Sequence, residues 1–219
     1  VRALSLQVRA GEIVGVAGVS GNGQRELMQA LTGQRHREGG SVQVDGLDVA
    51  RNTSAALARM GVLSDARGLY PRLTARENIV YYGRLHGLTA AAASARADAL
   101  AHVLDMVPLL DRRTEGFSQG ERMKIALARA LVHDPAHIVL DEPTNGLDVT
   151  ATRSLRESLR YLRTAEGGGK CIVFSTHIMQ EVEKLCDSVV VVARGRNVAS
   201  GRVEELLART GERDFEEAF

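Results

Sequence analysis

The sequence predicts an α/β protein with a mainly parallel sheet that carries helices on both faces. Three observations predict this fold class. Short apolar runs such as GEIVGVAG, AHIVLDEP and KCIVFSTH are typical of strands buried on both sides. A longer helical pattern follows each run, so strands and helices alternate along the chain. The block of about residues 70–133 holds helical patterns without a strand, and we expect it to form a helical lobe inserted into the core.

The N-terminal part is predicted to combine a small antiparallel sheet with the start of the parallel one. VRALSLQV is predicted as the first strand, and SVQVDG alternates like a strand and stops at a turn. GEIVGVAG is predicted as a buried strand, and QRELMQALTG after it as a helix that ends at Gly33. MGVLS is a further short apolar run and is predicted as a strand.

Capping boxes predict where two helices of the central part begin. Thr74 with Glu77 opens LTARENIVYYGRLHG, and Ser118 with Glu121 opens SQGERMKIALARALVH. The alanine-rich TAAAASARADALAHVLDMV between them is predicted as a third helix. The remaining chain then alternates strand and helix through AHIVLDEP, TATRSLRESLRYLRTAEGG, KCIVFSTH, IMQEVEKLC and SVVVVARG.

Composition narrows the function classes. The 219 residues carry a formal net charge of +1, which indicates neither a general nucleic-acid surface nor a basic membrane-binding face. No apolar run approaches the ~18 residues of a membrane span. Cys171 and Cys186 are expected to be free thiols, and the six histidines lack metal-ligand spacing. We expect a protein that does not insert into the membrane directly.

The stretch GVAGVSGNGQREL has the glycine spacing of a phosphate-binding loop. In the pattern G-x-x-x-x-G-K-[ST], backbone N–H groups and a helix N-terminus hold phosphates. Gln24 stands in the lysine place and Arg25 in the Ser/Thr place, so a glycine-rich packing turn is an open alternative. The candidate phosphate-binding residues are Gly18, Val19, Ser20, Gly21, Asn22, Gly23, Gln24, Arg25 and Glu26.

Two other strand ends carry chemistry-bearing side chains. A buried strand delivers Asp141 and Glu142 at its carboxyl end, where adjacent carboxylates repel unless a Mg²⁺ ion and an attacking water accompany them. The next strand ends at His177, at the edge where parallel sheets bind ligands. Acids that cap a helix and a structural histidine are the alternatives.

Taken together, these motifs resemble the ATP-binding cassette ATPases, which have a P-loop NTPase (RecA-like) core. FSQGE resembles the signature sequence through Ser118 and Gly120, LDEP the strand-end carboxylates, NGLD the D-loop with Asp148, and His177 the switch histidine. Asp65 falls in or near the glutamine place of the Q-loop. The resemblance implies three segments: core residues 1–69, a helical subdomain 70–133 that ends in the signature helix, and core residues 134–219 with a C-terminal tail.

The resemblance also implies a site and its partners. ATP would lie between one subunit's phosphate loop and the other's signature helix in a homo- or heterodimer. Glu142 and His177 would be catalytic, Asp141 and Asp65 would hold Mg²⁺, and Ser118, Gly120 and Asp148 would contact the nucleotide of the partner. A membrane permease is the implied partner, with the cassette peripheral on the cytoplasmic face of the membrane.

Two branches of the family are recognisable in the chain. From about residue 60, GVLSDARGLYPRLTARENI, STHIMQEVEKLCD and GERDFEEAF resemble export-type cassettes, especially the sodium-extruding group. The first 45 or so residues resemble the degenerate second cassette of sugar and nucleoside importers. We therefore suspect a composite sequence, natural or engineered.

The loop predicts weak nucleotide binding. Replacing the lysine by the neutral Gln24 removes a charge-assisted hydrogen bond worth about 1.5–3 kcal/mol. Arg25 cannot bind Mg²⁺ as a hydroxyl does, although it could supply part of the missing charge, and Glu26 competes with phosphate for the helix dipole.

Three functions remain open at this stage. The first is an ATPase that drives an export permease with low activity. The second is a largely non-hydrolysing module that offers its signature helix to an active partner. The third, a cassette of DNA repair or translation, is disfavoured because the sequence has no second cassette, long coiled coil or Cys-x-x-Cys hook.

Overall fold

A six-stranded sheet in the order β4-β5-β6-β1-β7-β8 forms the centre of the molecule. The computed structural model describes residues 1, 4–19, 21–64, 68–211 and 217. The strands are β1 (Ile13–Ala17), β4 (Met60–Leu63), β5 (His137–Asp141), β6 (Cys171–Thr176), β7 (Ser188–Ala193) and β8 (Arg196–Arg202). All neighbours pair in parallel except β7 with β8. The predicted mainly parallel sheet is confirmed.

A small antiparallel sheet of β2 (Gln43–Val44) and β3 (Leu47–Asp48) lies outside the main sheet. The prediction of a first strand over VRALSLQV is wrong for its described residues, because residues 4–9 belong to no strand. Leu4, Leu6 and Val8 are nevertheless half-buried against the core while the residues between them are exposed. The segment thus alternates half-buried and exposed side chains as a strand does, but its described residues pair with no other strand.

Helices cover both faces of the sheet. They are α1 (Gln24–Leu31), α2 (Thr53–Leu57), α3 (Ala75–Leu85), α4 (Ala90–Val103), α5 (Gln119–Leu131), α6 (Val149–Arg163), α7 (Met179–Leu185) and α8 (Val203–Thr210). Consecutive β6 residues separate the two layers: Ile172 and Phe174 pack into the core with α5 and α6, and Val173 packs with α1. The period of two follows from the strand pleat.

Residues 75–131 contain α3, α4, a 3-10 helix (Val107–Leu109) and α5. Both predicted capping boxes are present: the Thr74 hydroxyl accepts from the Glu77 amide, and the Ser118 hydroxyl from the Glu121 amide. Ile79 and Leu100 belong to the same buried cluster as the sheet residue Ile138, so the helical segment packs continuously onto the core. Across the described part of the chain, no helix is both long and apolar enough to cross a bilayer.

Candidate functional site

The three predicted site strands end in register at one edge of the sheet. Ala17, the last residue of β1, aligns with Thr176 of β6, and Ser175 aligns with Asp141 of β5. The phosphate-loop sequence follows β1 directly, His177 follows β6, and Glu142 follows β5. The parallel register therefore gathers all three at the carboxyl edge, as the sequence predicts.

The glycine-rich loop between β1 and α1 makes close backbone contacts. A side chain at Gly18 would place its first carbon 2.5 Å from the Val192 carbonyl oxygen, so only glycine fits there. Gly21 and Gly23 have φ of 87° and 108°, in the left-handed region that glycine adopts without strain. Gly23 precedes α1 and leaves the helix without a side-chain cap, so its first N–H groups point to the loop.

Asn22 anchors the loop to the turn between β7 and β8. Its side-chain oxygen accepts a hydrogen bond from the Arg194 amide at 2.9 Å, and its carbonyl accepts one from the Gly195 amide at 3.0 Å. Its side-chain nitrogen donates to the Val19 carbonyl at 3.0 Å. Asn22 therefore holds the loop shape, a role that the sequence did not reveal because the turn is 172 residues away.

Gln24 has the carboxamide of its side chain folded into the loop. The residue is only 5% exposed, and a first side-chain carbon at Gly18 would lie 2.7 Å from its Nε2 atom. This Nε2 has no hydrogen-bond partner among the described residues. A buried amide donor costs free energy when it is unpaired, so a phosphate oxygen in the loop would satisfy it. The loop therefore fits an anionic ligand, although Gln24 is not a cation.

Arg25 and Glu26 extend outward from the first turn of α1, and both are exposed. Arg25 lines a groove beside the loop together with Ser64 and Asp141. The guanidinium of Arg25 has no acceptor atom and cannot bind Mg²⁺ as the hydroxyl of a Ser/Thr in this place of the motif would. Ser20 and Asp65 lie outside the described residues.

A hydrogen-bonded chain joins the side chains at the ends of β5 and β6. The Ser175 hydroxyl donates to Asp141 Oδ1 at 2.6 Å and accepts from the Glu142 amide at 2.9 Å. His177 Nδ1 lies 2.8 Å from Glu142 Oε2. Glu142 has a φ of 49°, a left-handed conformation that costs a non-glycine residue about 1–3 kcal/mol.

Ser175 explains how the two adjacent carboxylates are kept apart. This fully buried residue binds the side chain of Asp141 and the main chain of Glu142, which leaves the Glu142 carboxylate to His177. The arrangement provides a carboxylate base with an imidazole beside it, a pair suited to proton transfer. The sequence marked Asp141, Glu142 and His177 but missed Ser175, because a strand-end serine has no distinctive pattern.

The predicted signature residues lie at a different pair of helix ends. Ser118 caps α5, and the Glu121 carboxylate accepts a hydrogen bond from the Ser118 amide at 2.8 Å, which lowers the Glu121 pKa. Gly120 packs so closely on α6 that an added carbon would lie 2.8 Å from the Ala151 side chain. Asp148 caps α6 by accepting from the Ala151 amide at 2.7 Å. Ser118 and Asp148 are exposed, on adjacent helix N-termini.

No hydrogen bond among the described residues joins this second cluster to the phosphate loop. The hydrogen bonds of Ser118 stay within α5 and its cap, and those of Asp148 stay within α6 and its cap. The structure therefore brings Asp141, Glu142 and His177 together with the loop at one sheet edge, and it brings Ser118, Gly120 and Asp148 together elsewhere.

Comparison with known proteins identifies the family. The ABC transporter family model matches residues 1–145. The chain belongs to the ABC transporter ATPase family. This ABC ATPase is 39% identical to the ABC transporter ATP-binding protein NatA of Bacillus subtilis strain 168, over its full length and 88% of NatA. It is 37% identical to the Nod factor export ATP-binding protein I of Burkholderia lata, over 94% of this chain and 67% of that protein.

Solved structures agree with the assignment of the fold. A protein described as the ATP-binding subunit of an ABC transporter superposes with a TM-score of 0.83 at 25% identity, over 97% of this ABC ATPase and 88% of that chain. The cbiO1 protein of Clostridium perfringens, part of the ABC transporter complex cbiONQ, gives 0.84 at 23% identity, over 94% and 82%. The predicted P-loop NTPase fold is confirmed, and the chain is an ATP-binding subunit of a transporter with export-type relatives.

Proposed function

We propose that this ATPase subunit binds ATP at the loop between β1 and α1, hydrolyses it slowly and thereby energises export through a separate permease. The single observation that carries the proposal is the chain from Asp141 through Ser175 and Glu142 to His177, which lies at the edge where the loop begins. ABC ATPase domains bind ATP, normally with Mg²⁺. The hydrolytic groups are therefore retained while the phosphate-binding lysine is absent.

Each residue of the edge has a proposed role. Glu142 accepts the proton of the attacking water, and His177, held at Glu142 by its Nδ1 atom, contacts the γ-phosphate. Asp141 would hold the Mg²⁺ ion that normally accompanies ATP in this family. The backbone of Gly18–Gly23 and the side chain of Gln24 donate hydrogen bonds to the phosphates, and Glu26 weakens the positive field of the helix N-terminus.

Low activity follows from Gln24. A neutral amide cannot neutralise charge on the transferred phosphoryl group as an ammonium does, so both affinity and turnover should be low. One well-placed transition-state donor contributes about 10²–10³ in rate. Because the buried Nε2 of Gln24 has no hydrogen-bond partner among the described residues, we expect the amide to donate one hydrogen bond to the nucleotide.

The proposed partners are a permease and a second cassette. Tyr70 and Tyr81 are each 44% exposed, and their rings pack edge to face with centroids 5.5 Å apart. We place the permease contact near Tyr70–Tyr82 on the helical subdomain, residues 70–133, which would hold the cassette at the cytoplasmic face of the membrane. In the homo- or heterodimer, Ser118, Gly120 and Asp148 face the nucleotide of the partner.

A second function is favoured by the exposed N-terminus of α5. Ser118 and Gln119 are open to solvent, so the helix could receive the γ-phosphate of a partner's nucleotide even if this chain hydrolyses little itself. In that case the subunit is a binding module that completes an active partner cassette.

ATP turnover separates the two functions. The chain is assayed alone and then mixed with a cassette that has an intact phosphate loop, in both cases beside its Glu142→Gln variant. Our proposal predicts slow turnover by the chain alone that Glu142→Gln removes. Turnover that needs the partner and is unaffected by Glu142→Gln would contradict it and favour the binding module.

A further inference from the structure

We propose that the nucleotide site binds a nucleoside triphosphate without requiring Mg²⁺, because the Arg25 guanidinium supplies a positive charge beside the phosphates. The inference rests on the proposed ATP-binding function and specifies the ionic form of the ligand. It concerns binding, not hydrolysis. The ligand is a nucleoside triphosphate whose binding does not need a metal ion.

The position of Arg25 supports this inference. It is the second residue of α1, immediately after the loop, and its side chain lines the groove that also contains Asp141. The side chain is exposed, and no ion pair to a described carboxylate engages it. Other arginines are already paired with carboxylates, as Arg37 is with Asp48 at 3.3 Å. Arg25 thus keeps its charge available beside the loop.

The chemistry of Arg25 excludes its use as a metal ligand. Guanidinium has five N–H donors and no acceptor, so it cannot take the place of a hydroxyl oxygen on Mg²⁺. Its fixed positive charge repels a divalent cation in the same groove. The same planar fork of donors matches two phosphate oxygens and forms charge-assisted hydrogen bonds with them.

Gln24 gives an independent indication of a phosphate ligand in the loop. Its Nε2 atom is buried, lies close to Gly18 and has no hydrogen-bond partner among the described residues, so it can donate to a ligand in the loop. A carboxamide nitrogen binds a phosphate oxygen directly and offers nothing to a metal ion. Gln24 and Arg25 are therefore two adjacent N–H donors where a metal-dependent loop has one cation and one hydroxyl.

The consequence is an affinity that does not depend on Mg²⁺. Because the guanidinium is part of the protein, the positive charge that balances the phosphates is present in the site before any metal ion binds. When Mg²⁺ binds ATP, it lowers the negative charge that attracts Arg25. The favourable effect of the metal on the phosphates is then offset by the weaker attraction to the guanidinium.

Equilibrium binding of ATP in excess Mg²⁺ and in excess EDTA tests the inference, by calorimetry on the purified chain. The wild type should show dissociation constants within about twofold of each other in the two conditions. Arg25→Thr should bind about tenfold more weakly in EDTA, the loss expected for one charge-assisted hydrogen bond, and should regain affinity with Mg²⁺. Arg25→Lys keeps the charge and should keep the Mg²⁺ independence.

A matched control removes a charge elsewhere. Arg51 is exposed and lies outside the groove, so Arg51→Gln should behave as the wild type in both conditions. Thermal unfolding of each variant establishes that it is folded before binding is compared.

Two outcomes would overturn the inference, and they differ in what they leave standing. If the wild type binds ATP only with Mg²⁺, then Arg25 does not replace the metal, while the proposed ATP-binding function stands. If the folded wild type binds ATP in neither condition, the ATP-binding function itself fails and the inference fails with it.

Discussion

At the scale of single residues, the surroundings of His133 disfavour its protonated form in the folded protein. Its ring stacks on His86 with centroids 3.7 Å apart, and its Nε2 donates to the Met60 carbonyl at 3.1 Å. Burial, together with the nearby His86, lowers the pKa of His133 from 6.5 to about 4. Burial also lowers the pKa of His86. In the folded state both rings therefore favour the neutral form more than a free histidine does.

The sign of the resulting pH dependence follows from proton binding. Between pH 6.5 and about 4 the unfolded chain protonates this histidine while the folded chain does not. The unfolded state therefore binds more protons, and the free energy of unfolding falls as the pH is lowered through this window, by up to about 3 kcal/mol.

His133→Gln is predicted to flatten this acid-side loss of stability. The amide can still donate to the Met60 carbonyl but does not titrate, so the contribution of His133 to the difference in proton uptake disappears. Urea unfolding across the window measures it, with the exposed His36→Gln as the control that should keep the wild-type slope. An unchanged slope in His133→Gln would show that other groups cause the acid sensitivity.

At the scale of elements, three arginines of α6 contact α7 and the residues that follow it. Arg156 Nε lies 3.5 Å from the buried Glu181 carboxylate as an ion pair without a hydrogen bond. Arg160 donates to the Lys184 carbonyl, and Arg163 pairs with Asp187, just after α7, at 2.9 Å. Their spacing of four and three residues places them on one helix face. Since α6 begins after Asp148 and α7 follows His177, these contacts join the two predicted site segments.

Arg156→Gln is predicted to lower the free energy of unfolding by about 3 kcal/mol. The change leaves the carboxylate of Glu181, whose side chain is 7% exposed, without its partner, and breaking a buried pair costs about 3–5 kcal/mol. Arg153→Gln is the matched control on the same helix. Its pair with Glu157 is 77% and 60% exposed, so its loss should cost less than about 1 kcal/mol.

Denaturant unfolding measures both variants. The charge-swapped double variant Arg156→Glu with Glu181→Arg should recover part of the loss, because it restores an ion pair at the same place. Equal small effects of Arg156→Gln and Arg153→Gln would contradict the role of the buried pair.

The elements that the sequence predicted well have strong local signals. Buried strands such as β6 and helices with capping boxes such as α5 follow from apolar runs and from Ser118 with Glu121. The strand β8 was missed because RNVASGR has no apolar pattern, and its pairing with β7 becomes visible only in three dimensions. The strand predicted over VRALSLQV failed for the opposite reason: its pattern is right, but the described residues have no ladder partner.

The site was predictable to the same extent. Gln24, Asp141, Glu142 and His177 stand at strand ends or in a motif, so their meeting at one edge could be expected from the parallel order. Ser175 could not be found in this way. Ser175 contacts Asp141 because the two residues are aligned on the neighbouring strands β5 and β6, and this strand register cannot be derived from the sequence.

At the scale of the whole molecule, a loop that lacks a lysine lies near Asp141, Glu142 and His177, the side chains to which we assign hydrolysis. The sheet holds both at one edge, because β1, β5 and β6 are neighbours or next neighbours and end in register. We therefore attribute the proposed slow turnover to the loop, and not to the carboxylates or the histidine. This central claim can be tested by repairing the loop alone.

The deciding measurement is steady-state ATP hydrolysis by the Gln24→Lys, Arg25→Thr double variant in the presence of Mg²⁺. The lysine restores charge neutralisation and the threonine restores a hydroxyl ligand, so turnover should rise by about 10²–10³ over the wild type. Adding Glu142→Gln to the repaired chain should abolish turnover and leave ATP bound. A repaired chain that binds Mg-ATP tightly, dimerises and still does not hydrolyse it would contradict the account, because the defect would then lie outside the loop.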